Sequence, residues 1–178
     1  MPSQSLRRPL LVLLAAGAAG CGHDPAAPDR APTFSGRLGG QAFAGDAYAS
    51  FLRGGAAGDT LYVGGAQTGS ATRPEVSVSV RLAPFTGPGR YTLAAGDAQA
   101  IETVGGDGIV GWYEAVGAGA GTVVVTAYDA ATGVVEGSAE FEAQRKYNSG
   151  SYGTAVRLEA GAFRATIRNP GTQARASR

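Results

Sequence analysis

The sequence is short of the residues that most often carry chemistry. Its 178 residues include one cysteine (Cys21), one histidine (His23), one tryptophan (Trp112) and one lysine (Lys146). Both Cys21 and His23 fall near the amino end, ahead of everything that reads as a folded domain. Nucleophilic catalysis of the Ser-His-Asp or Cys-His kind needs an imidazole beside its nucleophile, so the domain excludes it. The usual Cys/His zinc sites and a disulfide framework are excluded for the same reason. No phosphate-binding G-x-x-x-x-G-K-[ST] run and no dinucleotide fingerprint follows a strand. There is no basic patch in a chain of formal charge +1, which excludes an electrostatic footprint for nucleic acid. No stretch sustains the 3.6-residue period of an amphipathic helix.

The one long apolar run is at the start. Arg7 and Arg8 precede Leu10, Leu11, Val12, Leu13, Leu14, Ala15 and Ala16, and small residues lead on to Cys21. This is the layout of a secretory signal peptide over residues 1–20. The run is about a dozen residues, against about 20 for a membrane-spanning helix. Ala18-Ala19-Gly20-Cys21 resembles the lipobox of bacterial lipoproteins, with alanine at 18 where leucine is usual. The resemblance implies that Cys21 receives diacylglycerol and becomes the first residue, with the membrane as partner through that lipid. Gly22, in place of aspartate, points to the outer membrane in a two-membrane cell. The alternative is an ordinary signal peptide cut after Ala18, which leaves Cys21 as a free thiol.

Losing Arg7 and Arg8 with the leader leaves 13 basic against 14 acidic residues, a net of −1. Residues 21–32 read as anchor and tether. Gly22 to Pro32 holds three prolines, two aspartates and no large apolar residue, and spans about 18 Å as a coil. His23 belongs to this tether and reads as solvated.

From Thr33 the pattern changes to period two, the signature of half-buried strands. Val76, Val78, Val80 and Leu82 alternate with Ser77, Ser79 and Arg81. Val123, Val125 and Ala127 face one way, and Val135, Gly137, Ala139 and Phe141 continue that face after a turn at Asp129 to Gly133. Val125 opposite Gly137 is the register that keeps both sets on one side, with room over Gly137 for packing from the other sheet. Glu136, Ser138, Glu140 and Glu142 face out. A final hairpin is expected with Ala160-Gly161 as its turn, pairing Leu158 with Phe163. It places Arg157 opposite Arg164, an unfavourable like-charge pair.

Further strands are expected at Thr33–Leu38, Gln41–Phe43, Tyr48–Arg53, Thr60–Val63, Arg90–Leu93, Ala98–Val104 and Ile109–Val116. Turns are expected at Gly39-Gly40, Gly54-Gly55, Gly64-Gly65 and Gly105-Gly106. Many short strands with turn signals between them predict an all-β domain over residues 33–169, an antiparallel two-sheet sandwich or, as the alternative, a flattened β-barrel. Residues 170–178 read as a disordered tail. Phe34, Gly39-Gly40-Gln41-Ala42-Phe43, Gly89-Arg90-Tyr91, Gly121-Thr122-Val123-Val124-Val125 with Asp129, Gly137 to Phe141, and Gly161-Ala162-Phe163 resemble the strand and turn motifs of a family of small all-β bacterial lipoproteins. That family has no established activity to carry over.

Few residues invite a ligand. Tyr147 and Tyr152 flank a polar, glycine-rich segment and could stack on a sugar or a partner surface, since tyrosine offers contact area at low entropic cost. Trp112 and Tyr113 alternate on a strand, so one of them faces outward; the core is the simpler place for Trp112 and a binding platform the alternative. Carboxylate chemistry needs two acids about 5 to 9 Å apart, and neither the Glu136, Glu140 and Glu142 face nor the Asp97 and Asp107 pair promises that. Asp107, in Gly105-Gly106-Asp107-Gly108, lacks the repeated acidic spacing of a calcium loop and reads as a turn. The expectation is a lipid-anchored envelope protein with no cofactor, no metal and no enzymatic activity. It binds an envelope protein or a glycan, with a structural envelope protein and, further off, a carboxylate-dependent hydrolase as alternatives.

Overall fold

The computed structural model describes residues 31–55, 58–70, 73–106, 108–147 and 150–168. The expected signal peptide, Cys21, His23 and the expected tether to residue 30, together with Asp107, the span 148–149 and the expected tail, lie outside the described residues. Ten strands follow in order: β1 (Thr33–Leu38), β2 (Gln41–Gly55), β3 (Gly58–Gln67), β4 (Glu75–Leu82), β5 (Gly89–Leu93), β6 (Ala98–Val104), β7 (Gly108–Glu114), β8 (Gly121–Asp129), β9 (Val134–Tyr147) and β10 (Ala155–Arg168). Among the described residues there is no helix, and none long and apolar enough to cross a membrane.

All ten strands join in one sheet. β1 lies between β2 and β10, and β2, β3, β4, β6, β7, β9 and β10 follow one another until β10 returns to β1 and, in a short parallel pairing, to β2. The sheet therefore closes into a ring. β9 carries much of the closure. Its length pairs with β10 on one side, while the other side pairs first with β8 and then with β7. β5 extends the sheet beyond β8. Closure removes most of the sheet edges that otherwise template association; β5, paired with β8 alone among the described residues, keeps one.

Alternation fills the ring. Val76, Val78, Val80 and Leu82 of β4 are buried, as are Val123 and Val125 of β8 and Ala139, Phe141 and Ala143 of β9. At about 25 cal/mol per Å² of apolar surface removed from water, this contiguous core is the main favourable term of folding. Val125 does pair with Gly137. The room over Gly137 is filled from the neighbouring strand, not from an opposed sheet. Phe163 is Gly137's partner on β10, and a β-carbon on Gly137 would sit 2.7 Å from its ring. Phe163 stacks on Phe34, which meets Phe43 edge-on.

Four expectations are corrected. Ala160-Gly161 is not a hairpin turn. β10 runs straight through it as one strand paired with β9, with a bulge between Leu158 and Gly161 and Ala160 at φ 49°. As one strand, β10 no longer sets Arg157 against Arg164: Arg157 faces Glu142, and Arg164 faces Glu136. Arg164 is buried and ion-paired with Glu136. Gly64-Gly65 is not a turn either; both residues are buried inside β3. Added β-carbons would strike the Tyr48 ring at 2.3 Å and Phe34 at 2.4 Å, so these glycines exist to admit two aromatic rings. Gln41–Phe43 and Tyr48–Arg53 are parts of a single strand. A bulge between Val125 and Ala127 places Ala127 opposite Glu136, and Tyr128 takes the inward position opposite buried Val135.

Candidate functional site

The two ends of the ring differ. At one end Phe51, Phe85, Tyr91 and Tyr128 pack ring against ring, with centroid separations of 5.2 to 6.5 Å. At the other, the starts of β2 and β4, the end of β3, β6 and the segment before β10 surround an open cleft of about 580 Å³. Its wall includes Gln41, Gln67, Arg73, Glu102, Ser151 and Tyr152.

Glu102 is the chemical centre of that wall. β4 and β6 pair Val76 with Glu102, Val78 with Ala100 and Val80 with Ala98. Cross-strand partners share a face, so the inward valines turn Ala98, Ala100 and Glu102 inward with them. Ile101 goes outward. Glu102 is completely buried, and it is the one fully buried acid among the described residues. Space for it comes from glycine: β-carbons on Gly111 and Gly150 would lie 2.4 and 2.6 Å from its Oε2.

Three successive backbone amides bind the segment before β10 to this wall. Gly150 N–H donates to the Val110 carbonyl at 2.8 Å. Ser151 N–H donates to Glu102 Oε2 at 2.6 Å, and Tyr152 N–H donates to the Tyr113 hydroxyl at 3.2 Å. The Tyr113 hydroxyl in turn points at Glu102 Oε2, at 3.5 Å. Oε2 is thus well served, whereas the buried Oε1 has no hydrogen-bond partner. A buried polar atom without a partner costs free energy comparable to a lost hydrogen bond, more when charged. No ion pair to Glu102 occurs among the described residues either.

The tyrosines register this surrounding. Burial pushes the Tyr152 phenol up to about 12, helped by the negative charge of Glu102 and by Tyr113. Tyr113 is raised as well, first by burial and, less, by Glu102, with Arg145 acting in the opposite direction. The two rings meet edge-on at 6.0 Å. The Tyr152 ring also lies against the β1–β2 turn, where a β-carbon on Gly39 would stand 2.3 Å from it.

The three residues expected to bind are thus not brought together. Tyr152 is half-buried on the cleft wall. Trp112 and Tyr147 are on the outer face of the sheet. Tyr113, not Trp112, occupies the core, which corrects the simpler placement of Trp112. An irregularity in the β7–β9 pairing sets Tyr147 directly opposite Trp112, whose other neighbour is Ile101. Tyr147 is exposed and Trp112 half-buried, with its Nε1 buried and unpartnered. Ile101, Trp112 and Tyr147 thereby form an outward apolar row.

The outward acids are accounted for. Glu140 and Glu142 are exposed, and Asp97 bridges Arg81 at 2.7 Å while accepting from Ala94 N–H. Among the described residues no group of three His, Cys, Asp or Glu side chains could hold a metal ion. Sequence reasoning missed Glu102, and the signal was present in part: a glutamate continuing the period-two face of Ala98 and Ala100, small residues that fit opposite the inward valines of β4. No family model, curated protein or solved structure matches the chain.

Proposed function

We propose that this chain is a binding module of the bacterial cell envelope, lipid-anchored at Cys21, whose ligand site is the Glu102 cleft. The observation that carries the reading is the unpartnered, buried Oε1 of Glu102 in the wall of a polar cleft. A fold keeps an unsatisfied buried acceptor at a cost, and such groups concentrate where binding uses them. The cleft volume of about 580 Å³ falls in the range of small-molecule sites, roughly 300 to 1,000 Å³. The outward row of Ile101, Trp112 and Tyr147 favours a second reading, contact with an envelope protein or glycan through that face, since amphipathic rings are common at such surfaces.

Amide chemical shifts recorded against a panel of small polar metabolites test the site. Perturbations centred on Gln41, Gln67, Ser151 and Tyr152 are expected. Shifts confined to Ile101, Trp112 and Tyr147 would favour the second reading, and their absence from both places would refute both. The anchor has its own test: Cys21→Ser is expected to move the protein from the membrane fraction to the soluble or unprocessed one, and labelled fatty acid retained by Cys21→Ser would contradict lipidation there.

A further inference from the structure

The chemistry of the cleft defines what its ligand presents, an inference that rests on the Glu102 cleft being a ligand site. Glu102 is a buried carboxylate with one oxygen satisfied by Ser151 N–H and Tyr113 and the other by no protein group among the described residues. Removing a carboxylate from water costs several kcal/mol unless a cation or several donors compensate. Here compensation is incomplete. The cleft wall contains one cationic side chain, Arg73, which is exposed on the β3–β4 connection and makes no ion pair with Glu102. Arg145 acts on Tyr113 but is exposed. A metal ion is a poor fit: calcium takes six to eight oxygens, and Glu102 is the one acid on the wall. An organic cation needs less. An ammonium group supplies a hydrogen-bond donor and a positive charge together, and charge-assisted hydrogen bonds are about twice as strong as neutral ones. The Tyr152 ring, on the same wall, adds an aromatic face of the kind that attracts cations.

We propose that the cleft takes up its ligand through a primary ammonium group, which donates to Glu102 Oε1 beside the Tyr152 ring. Oε1 has essentially no solvent-accessible surface in this conformation, so uptake shifts part of the wall. Ser151 and Tyr152 are the wall residues tied to Glu102 and Tyr113 through single backbone hydrogen bonds, and their displacement opens the carboxylate. The ammonium can come from a free small amine, an amino sugar or the amino end of a peptide.

Matched probes separate these statements. Glucosamine and glucose differ in an ammonium against a hydroxyl, and butylamine and butyrate differ in the sign of charge. Gly-Gly and acetyl-Gly-Gly add the peptide amino end. Their dissociation constants are measured at pH 7 on the full chain in detergent and on Glu102→Gln. We expect each ammonium-bearing probe that fits to bind at least about ten-fold more tightly than its twin, and Glu102→Gln to bring the two within about two-fold. Which ammonium probe binds most tightly identifies the source. Equal affinity within a pair, or a preference that survives Glu102→Gln, overturns the ammonium assignment while leaving the cleft a ligand site. No probe of any charge shifting the Ser151 and Tyr152 amides overturns the site itself. If Glu102→Gln does not fold, the twin comparison on the unaltered chain still decides, because it needs no variant.

Discussion

The two ends of the ring solve the same packing problem with different materials. At the aromatic end, Phe51, Phe85, Tyr91 and Tyr128 fill the space between β2, β5, β8 and the β4–β5 connection with rings. The Tyr91 hydroxyl there accepts from Thr86 N–H and donates to the Gly87 carbonyl, so even its polar tip is satisfied. At the cleft end, Gly111 and Gly150 clear space as glycines do elsewhere in the ring, but a carboxylate occupies it and one oxygen is left over. On the proposed reading, the contrast separates an end built for stability from one that gives up some stability for binding, as functional sites do.

The largest effect should come from the aromatic end. Phe85 is buried and touches three rings, so Phe85→Ala is expected to cost about 3 to 5 kcal/mol, the sum of lost transfer energy and a residual cavity. Urea denaturation measures it. A cost below about 1 kcal/mol would mean that this end is not packed as described and would erase the contrast.

A second test uses proton titration at the cleft end. The Tyr152 phenol ordinarily titrates near 10.0 and is held up to about 12. The folded state therefore grips this proton more tightly than the unfolded state. The associated stability is complete below pH 10 and is lost as pH rises from about 10 to about 12. Ultraviolet titration of the tyrosines should show a late phenol, and Glu102→Gln, by removing the second largest cause, should bring it down. A late phenol unmoved by Glu102→Gln would show that the carboxylate does not act on Tyr152.

The smallest effect belongs to the outer face. Tyr147 is 59% exposed, and Tyr147→Ala is expected to change stability by no more than about 0.5 kcal/mol. A loss of several kcal/mol in chemical denaturation would place that ring in the core.

How much of this was legible depends on how local each signal is. Thr33–Leu38 and Ala98–Val104 match β1 and β6 residue for residue, and Val125 opposite Gly137 matches as well, because a short turn fixes the register of a hairpin. Ala160-Gly161 was misread because a turn and a bulge use the same residue types. What distinguishes them is β9 lying beside all of β10, a pairing the local sequence does not encode. Its warning was the predicted clash of Arg157 with Arg164, which the real register relieves. Gly64 and Gly65 were misread for the complementary reason, since the rings of Tyr48 and Phe34 that require them come from other strands. Glu102, and the exchange of Trp112 for Tyr113, follow from which face of β6 and β7 turns inward. Pairing with β4 decides that across the intervening β5, so alternation alone left it open. Of the three binding candidates read from sequence, Tyr152 is the one that lies on the cleft wall.

The central claim is that the Glu102 carboxylate is retained for binding and not for folding, and the unfolding free energy of Glu102→Gln tests it most directly. Glutamine keeps the shape and the acceptor facing Ser151 N–H while removing a buried charge. The account predicts a stability within about 1 kcal/mol of the unaltered chain, or above it, because burying an unpaired charge costs more than burying the neutral amide that replaces it. A loss of about 3 kcal/mol or more would make the carboxylate a structural fastening for the segment before β10, and would contradict it.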